Sequence, residues 1–145
     1  DGAVCCLDSL NHITDYSAFC TAISKVSLFL EKDRLFIFDV NTVFKHKYIL
    51  ADNTYVIDHE DVYCVWQNET DPETLETDIL LDFFIKNEDV YRRSGEEFSE
   101  RAYSDRQIDE ALISAGLEKV AVYADMTLSP PEDTTERAIY VARKI

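Results

Sequence analysis

"AVCCLDSLNH", residues 3–12, decides the fold, because an apolar run turns abruptly polar within it. The apolar part, residues 3–7, is short, which is typical of a buried strand that is covered on both faces. Four of the next five residues are polar: Asp8, Ser9, Asn11 and His12. Open α/β sheets bind their ligands beyond the carboxyl ends of their strands. The polar run therefore indicates a binding site directly after this strand.

The residues after His12 complete a strand–helix–strand unit. Thr14 or Asp15 can cap a helix, and apolar residues then recur at helical spacing: Tyr16, Phe19, Cys20, Ile23, Val26 and Leu30. The apolar run 35–38 is the next buried strand. Two strands joined by a crossover helix lie parallel, with a right-handed connection. The polar end of the second strand, residues 39–42, is therefore expected at the same sheet edge as residues 8–12.

The middle of the chain has the pattern of an antiparallel meander. Residues 75–85 alternate between apolar and mostly polar positions, which predicts one long strand. We expect turns at residues 86–89 and at Ser94-Gly95, and a further strand over residues 97–103. This inserted sheet follows the second strand end, so we expect it to form a lid over the same edge.

The end of the chain alternates helix and strand again. Residues 104–107, Ser-Asp-Arg-Gln, match a capping box, and Gly116 stands where a helix ends. Residues 120–123 and 138–141 are the last two strands. The fold class is therefore α/β, a partial Rossmann-like sheet with an inserted antiparallel β subdomain. The domain boundaries that follow are 1–52 with 104–145 for the core, and 53–103 for the insertion.

The charge of the chain limits its partners. Fourteen Lys and Arg stand against 29 Asp and Glu, which gives a net charge of −15. Such a surface repels phosphate backbones and anionic lipids, so we expect neither nucleic acid nor membrane as a partner. A solvated acidic face explains the charge most simply. A docking face for a basic protein is the alternative.

The cysteines indicate a reducing environment. None of the four, Cys5, Cys6, Cys20 and Cys64, forms a C-x-x-C pair, so neither a zinc pattern nor a disulfide framework is visible. We expect reduced thiols in a cytoplasmic protein. No apolar run approaches the length of a membrane span.

Five stretches together resemble the class I S-adenosylmethionine-dependent methyltransferases. They are "VCCLDSLNHITDYSAFCTAISKVSLFL", "LFIFDVNTVFKHKYIL", "DVYCVWQNE", "YRRSGEEFSERAYS" and "AIYVARK". The chain looks most like a bacterial small-molecule subgroup with a β-rich insertion after the fifth strand. The resemblance implies that residues 3–7 are the fourth strand of that fold and that the final strand is antiparallel. Only the C-terminal part of such an enzyme is therefore expected here.

Departures from the family pattern concern the cofactor. The three glycines, Gly2, Gly95 and Gly116, form no Gly-rich loop, and the acidic residue that holds the ribose has no counterpart. The resemblance implies that three upstream strands are missing, so we expect this chain alone to be inactive and to bind the cofactor weakly or not at all. Without those strands, residues 3–7 and the stripe Tyr16, Phe19 and Ile23 would be exposed. We expect a homodimer, or association with the missing half.

The resemblance also implies roles for the polar run. Cys6, Leu7, Asp8 and Ser9 would line S-adenosylmethionine, while Asn11 and His12 would be the catalytic pair on the acceptor side. His12 is the candidate base, since an imidazole titrates near neutral pH. The alternative is structural, because Asp, Ser and Asn are turn formers and His12 merely precedes a helix.

Candidate acceptor contacts come from the insertion: Tyr63, Trp66, Tyr91 and Arg101. Aromatic faces bind cations and Arg binds carboxylates, but aromatic residues also form sheet cores and Arg also pairs with nearby Glu. His46 and His59 lack partners at metal-ligand spacing, so no metal site is expected.

The sequence therefore predicts the C-terminal portion of a methyltransferase that acts on a small molecule. The alternative is a non-catalytic acidic interaction module. A piece of a nucleotide-binding dehydrogenase is disfavoured by the antiparallel last strand and the β-rich insertion.

Overall fold

The computed structural model describes residues 1–145, which form eight strands, two α-helices and a π-helical segment. In chain order they are β1 (Ala3–Cys5), α1 (Tyr16–Phe29), β2 (Leu35–Asn41), the π-helical segment (Lys45–Leu50), β3 (Thr54–His59), β4 (Val62–Thr70), β5 (Glu76–Asn87), β6 (Val90–Arg101), α2 (Asp105–Ser114), β7 (Leu117–Ala124) and β8 (Arg137–Lys144). No helix has both the length and the apolar character that crossing a membrane requires.

The first sheet has the strand order β1-β2-β8-β7. β1 and β2 are parallel, whereas β8 runs antiparallel between β2 and β7. This arrangement confirms the predicted parallel pair and the antiparallel last strand. Because β8 is reversed, its first residue, Arg137, pairs with Asn41 at the carboxyl end of β2.

The ends of both helices follow their sequence signals. The Asp15 carboxylate accepts a hydrogen bond of 2.8 Å from the Ala18 backbone N–H and so caps α1. Ser104 and Gln107 form the predicted capping box of α2. Gly116 follows this helix with a φ of +70°, a left-handed conformation that glycine adopts without a steric cost.

The two helices cover one face of the first sheet and leave the other open. Phe19 and Ile23 are fully buried, and the Phe19 ring lies 4.1 Å from that of Tyr103. The expectation that this stripe is exposed is therefore wrong, because α2 and the end of the insertion cover it. The exposed apolar surface lies on the opposite face, where Val4 is 68% exposed beside Ile37 of β2.

The second sheet is a four-stranded antiparallel meander, β3-β4-β5-β6, as the alternation predicts. The predicted turn at Ser94-Gly95 and the separate strand over 97–103 are wrong. β6 pairs with β5 without a break from Asn87↔Val90 to Glu76↔Arg101, and Gly95 simply lies opposite Asp82. A continuous ladder outweighs the local turn preference of these two residues. The domain boundaries at 52/53 and 103/104 stay a prediction.

β1 is shorter than the predicted strand 3–7. Leu7 and Asp8 take left-handed backbone conformations, with φ values of 61° and 49°. A strand cannot continue through such residues, and Leu7 is 74% exposed rather than buried. Left-handed geometry is costly for residues with a Cβ atom and persists only where the surroundings impose it.

Two core tyrosines predict how stability depends on pH. The Tyr103 hydroxyl donates to the Ile13 carbonyl, and the Tyr140 hydroxyl donates to Asp105 Oδ1 at 2.8 Å. Burial raises the pKa of Tyr103 to about 12 and raises the pKa of Tyr140 well above its ordinary value. The unfolded chain loses these protons near pH 10. The free energy of unfolding is therefore expected to fall as the pH rises from about 10 to about 12.

Urea unfolding across this alkaline range measures the effect. Tyr140→Phe removes one of the two hydroxyls and should flatten the pH dependence, whereas Tyr48→Phe changes an exposed tyrosine and should not. Equal slopes for the wild type and Tyr140→Phe would contradict the prediction.

Candidate functional site

A buried ion cluster lies where β1 and β2 end and β8 begins. Arg137 contacts two carboxylates, Asp39 Oδ2 at 2.5 Å from Nη1 and Asp8 Oδ2 at 2.7 Å from Nη2. Burial alone would lower the pKa of Arg137, but Asp8 and Asp39 outweigh it and raise this pKa above its ordinary value. The Asp8 backbone N–H also donates to Asp39 Oδ2 at 3.1 Å. These contacts impose the left-handed turn at Leu7 and Asp8.

Asn11 joins the polar run to both sheets. Its side chain is fully buried. The amide group donates to the Asn41 carbonyl at 3.1 Å and to the Arg101 carbonyl at 3.0 Å, while Oδ1 accepts from the Asn41 N–H at 2.9 Å. The Arg101 N–H donates back to the Asn11 carbonyl at 2.8 Å. Asn11 therefore ties residues 8–12 to the end of β2 and to the end of β6.

Asn41 links the ion cluster to a third carboxylate, that of Glu100. Its amide donates to Asp8 Oδ2 at 2.9 Å and to Glu100 Oε2 at 3.0 Å. Lys45 donates from Nζ to Asn41 Oδ1 at 2.9 Å. The end of β2 thus holds the carboxylate of Asp8, in the turn after β1, beside that of Glu100 in β6.

Glu100 lies between two histidines. Its Oε1 is 3.6 Å from His12 Nε2, and its Oε2 is 4.0 Å from His46 Nε2. Burial raises the pKa of Glu100, and the hydrogen bond from Asn41 opposes this only in part. The Glu100 side chain is 8% exposed, whereas that of His12 is 45% exposed and packs against the Phe98 ring at 5.3 Å. The pair is therefore closed on the Glu100 side and open to solvent at His12.

His46 is fully buried beneath Glu100. Burial lowers its pKa to about 4, so the ring is neutral at physiological pH. Nδ1 lies 2.8 Å from Thr77 Oγ1, and this hydroxyl lies 2.9 Å from Thr70 Oγ1. Nε2 has no hydrogen-bond partner.

Similar proteins establish what kind of fold carries this site. No protein-family model matches the chain. YqeM of Bacillus subtilis, which is provisionally named a methyltransferase, is 28% identical over 144 residues, covering 99% of this chain and 58% of YqeM. The crystal structure of an S-adenosylmethionine-dependent methyltransferase from Clostridium acetobutylicum is 29% identical and superposes with a TM-score of 0.92, over 99% of this chain and 58% of that one. The chain is similar to S-adenosylmethionine-dependent methyltransferases.

More distant structures share the methyltransferase fold. The CcbJ methyltransferase of Streptomyces caelestis is 12% identical with a TM-score of 0.85, and covers 99% of this chain and 60% of its own. CalS10, an amino pentose methyltransferase of Micromonospora echinaspora, is 15% identical with a TM-score of 0.75, over 99% and 58% of the two chains. The chain thus spans a little under three fifths of the length of the curated relatives it matches. The predicted resemblance and fold class are confirmed.

The predicted cofactor wall lies on the open side of this methyltransferase fold. Cys6, Leu7 and Ser9 are exposed, and the Ser9 hydroxyl donates to the Cys6 carbonyl at 2.6 Å. An open groove of about 660 Å³ runs along this edge and is lined in part by Leu7, Lys45 and Arg137. The polar run therefore has one face fixed by the ion cluster and one face free to bind a ligand.

The predicted acceptor residues do not converge. Residues that pair across strands share a face of the sheet, and alternate positions point to opposite faces. The register places Trp66 on the same face as Glu100, and Tyr63, Tyr91 and Arg101 on the other. Arg101 Nη1 donates to the Thr14 carbonyl at 2.9 Å. Only Trp66 among the four shares the face that carries Glu100.

The sequence pattern missed three residues of the site: His46, Glu100 and Arg137. A signal existed for Arg137, because the first residue of an antiparallel strand lies at the edge where parallel neighbours end. The sequence places Glu100 next to Arg101 and gives His46 no partner at metal-ligand spacing, so neither residue is expected at this site. Asp8, His12 and Glu100 each offer a metal-ligand atom within 4.8 Å of one another, and no spacing rule for a single segment reveals such a group.

Proposed function

We propose that this chain is part of an enzyme that transfers a methyl group from S-adenosylmethionine to a small molecule. The observation that carries the proposal is the fixed polar run after β1, with its left-handed turn at Leu7 and Asp8, within a fold that matches a methyltransferase at 29% identity. Methyl transfer from a sulfonium is an in-line displacement. The enzyme supplies mainly positioning and a dry pocket.

The exposed side of residues 6–9 fits one wall of a cofactor site. Cys6, Leu7 and Ser9 are exposed, and Leu7 also lines the groove, so this side of the polar run is accessible to a ligand. Asp8 takes part through its fixed backbone, because its carboxylate is held by Arg137. When bound, S-adenosylmethionine supplies a methyl group that its sulfonium already activates.

On the acceptor side, His12 is the residue that we propose to accept a proton. It is half exposed and lies beside a buried carboxylate, which stabilises the imidazolium that forms. Asn11 acts as a positioning residue, since all its polar atoms hold the polar run in place. Trp66 is the aromatic acceptor contact that the sheet register favours. Tyr63, Tyr91 and Arg101 remain predictions on the opposite face.

The names of related structures support a small acceptor. CalS10 acts on an amino pentose, and KedS8 of Streptoalloteichus is a sugar N-methyltransferase. We propose that the rest of the parent enzyme covers the open sheet face at Val4, because the chain spans under three fifths of its curated relatives. A cytoplasmic location agrees with four free thiols.

Calorimetry with S-adenosylmethionine tests the proposal on the parent protein and on the 145-residue chain. The parent should bind the cofactor, and the chain alone should bind it at least about 100-fold more weakly. One wall of a site makes few contacts, and their free energy barely exceeds the entropy that is lost on association. Ser9→Arg in the parent should weaken binding at least about tenfold, because a long cationic side chain would then cover the exposed side of residues 6–9. Ser24→Arg, on the exposed face of α1, is the matched control.

Two outcomes would overturn the proposal. If the parent protein does not bind S-adenosylmethionine, the methyltransferase function is excluded and the acidic interaction module is favoured. If the 145-residue chain binds S-adenosylmethionine as tightly as the parent does, the cofactor site does not lie between this chain and the rest of the parent.

A further inference from the structure

The hydrogen-bond chain around His46 fixes which nitrogen carries its proton. The Thr70 hydroxyl donates to the Ala51 carbonyl at 2.9 Å, since a carbonyl only accepts. Thr77 must therefore donate its own proton to Thr70 Oγ1. The Thr77 oxygen is then left to accept from His46 Nδ1–H. The neutral ring consequently presents a bare lone pair at Nε2.

This lone pair is buried without a donor. A buried acceptor that lacks a partner is unfavourable, so native proteins rarely leave one. His46 Nε2 has Glu100 Oε2 at 4.0 Å, which is too far for a hydrogen bond. A lone pair that faces a carboxylate adds to the negative potential around Glu100, which favours a cation beside this carboxylate.

The same carboxylate meets a second group of ligand atoms on its other side. Ligand atoms of Asp8, His12 and Glu100 lie within 4.8 Å of one another, and His12 Nε2 is 3.6 Å from Glu100 Oε1. Neither distance is that of a direct hydrogen bond. Both oxygens of Glu100 therefore face an imidazole nitrogen across a gap.

The local charge favours a cation. The carboxylates of Asp8, Asp39 and Glu100 outnumber the two cationic side chains beside them, Arg137 and Lys45. Burial raises the pKa of Glu100, so a bound cation would stabilise the ionised form of this carboxylate. Carboxylate with imidazole is a donor set that Mn²⁺ and similar divalent cations accept. Zn²⁺ is a less informative probe, because the exposed Cys6 thiol lies nearby in the chain and binds soft metals.

We propose that Asp8, His12 and Glu100, with His46 behind Glu100, form a binding site for a divalent cation of the Mn²⁺ type. The expectation from sequence spacing that no metal site forms stays a prediction, and the measurement below decides between the two. Because His12 is half exposed, the cation would keep open positions toward solvent. With the cation bound, His12 would serve as a ligand in place of the proton acceptor proposed above. An acceptor hydroxyl in one of the open positions would lose its proton more readily, a consequence that rests on the proposed methyl transfer.

Mn²⁺ binding to the untagged 145-residue chain tests the site directly. Calorimetry and the magnetic resonance signal of free Mn²⁺ should show one saturable ion per chain. Glu100→Gln and His12→Gln should each weaken binding at least about tenfold, since loss of groups that merely support a ligand already costs about 10–100-fold. The matched controls, Glu97→Gln and His59→Gln, change exposed residues and should bind like the wild type.

Circular dichroism of each variant reports whether it folds. If Glu100→Gln does not fold, Mn²⁺ binding by the His12→Gln variant decides the test, because His12 is exposed and its replacement should leave the fold intact. Absence of saturable Mn²⁺ binding, or equal binding by the wild type and His12→Gln, would overturn the proposal. Because no cofactor or acceptor enters the measurement, its failure is distinct from a failure of the proposed methyl transfer.

Discussion

Arg137→Ala is expected to lower the free energy of unfolding by about 3–5 kcal/mol, the usual cost of breaking a buried ion pair. The guanidinium compensates Asp39 and Asp8, whose side chains are 10% and 19% exposed. Removing it leaves two carboxylates close together with little water and no counter-charge. Asp39 Oδ1 already lacks a hydrogen-bond partner, and without Arg137 only the Asp8 backbone N–H would still donate to this carboxylate.

Arg143→Ala is the matched control for this change. Arg143 lies in the same strand, β8, and also pairs with a carboxylate, Glu118 Oε2 at 2.6 Å, but both side chains are about half exposed. Exposed pairs contribute about 0–1 kcal/mol, so the loss should stay in that range. Urea unfolding followed by circular dichroism measures both variants. Equal losses in Arg137→Ala and Arg143→Ala would show that the cluster at the site is not a buried one.

Asn11→Ala is expected to cost about 3 kcal/mol of stability, because several buried backbone groups lose their partners at once. The amide of Asn11 satisfies the carbonyls of Asn41 and Arg101 and the N–H of Asn41. Alanine leaves these groups facing a cavity. The polar run 8–12 should then also lose its fixed position, and with it the geometry between His12 and Glu100.

Asn53→Ala provides the comparison, since this exposed amide donates only to the Ile49 carbonyl at 2.7 Å. Asn53→Ala should lower the free energy of unfolding by no more than about 1 kcal/mol. Hydrogen exchange of the residue 8–12 amides offers a second readout and should accelerate in Asn11→Ala alone. A stability loss below about 1 kcal/mol for Asn11→Ala would contradict the role that we assign to this residue.

Much of the local structure followed from short-range signals. Asp15 and Ser104 each cap a helix through their own side chains and the backbone three residues on. The alternation in β5 predicts a strand because successive side chains point to opposite faces. Such features depend on neighbours within one turn or one strand, and the residue types alone decide them.

The family resemblance predicted the order and direction of the strands in the first sheet. The parallel pair β1-β2 and the reversed β8 were expected, and the sheet order agrees. Contacts between distant parts of the chain decided the features that the sequence predicted wrongly. The Ser94-Gly95 step looks like a turn by itself, but a twelve-residue partner strand holds it extended. Phe19 was expected to be exposed, but α2 and Tyr103 cover it in the structure.

The sequence by itself determined the helix ends, the alternating strands and the position of the polar run after the first strand, because these depend on local propensity and periodicity. Only the tertiary structure decided that Glu100 of β6 lies between His12 and His46 and that Arg137 neutralises Asp8. These residues are separated by up to 129 positions. Their contact depends on the register of two sheets and on one loop between them, which no local pattern encodes.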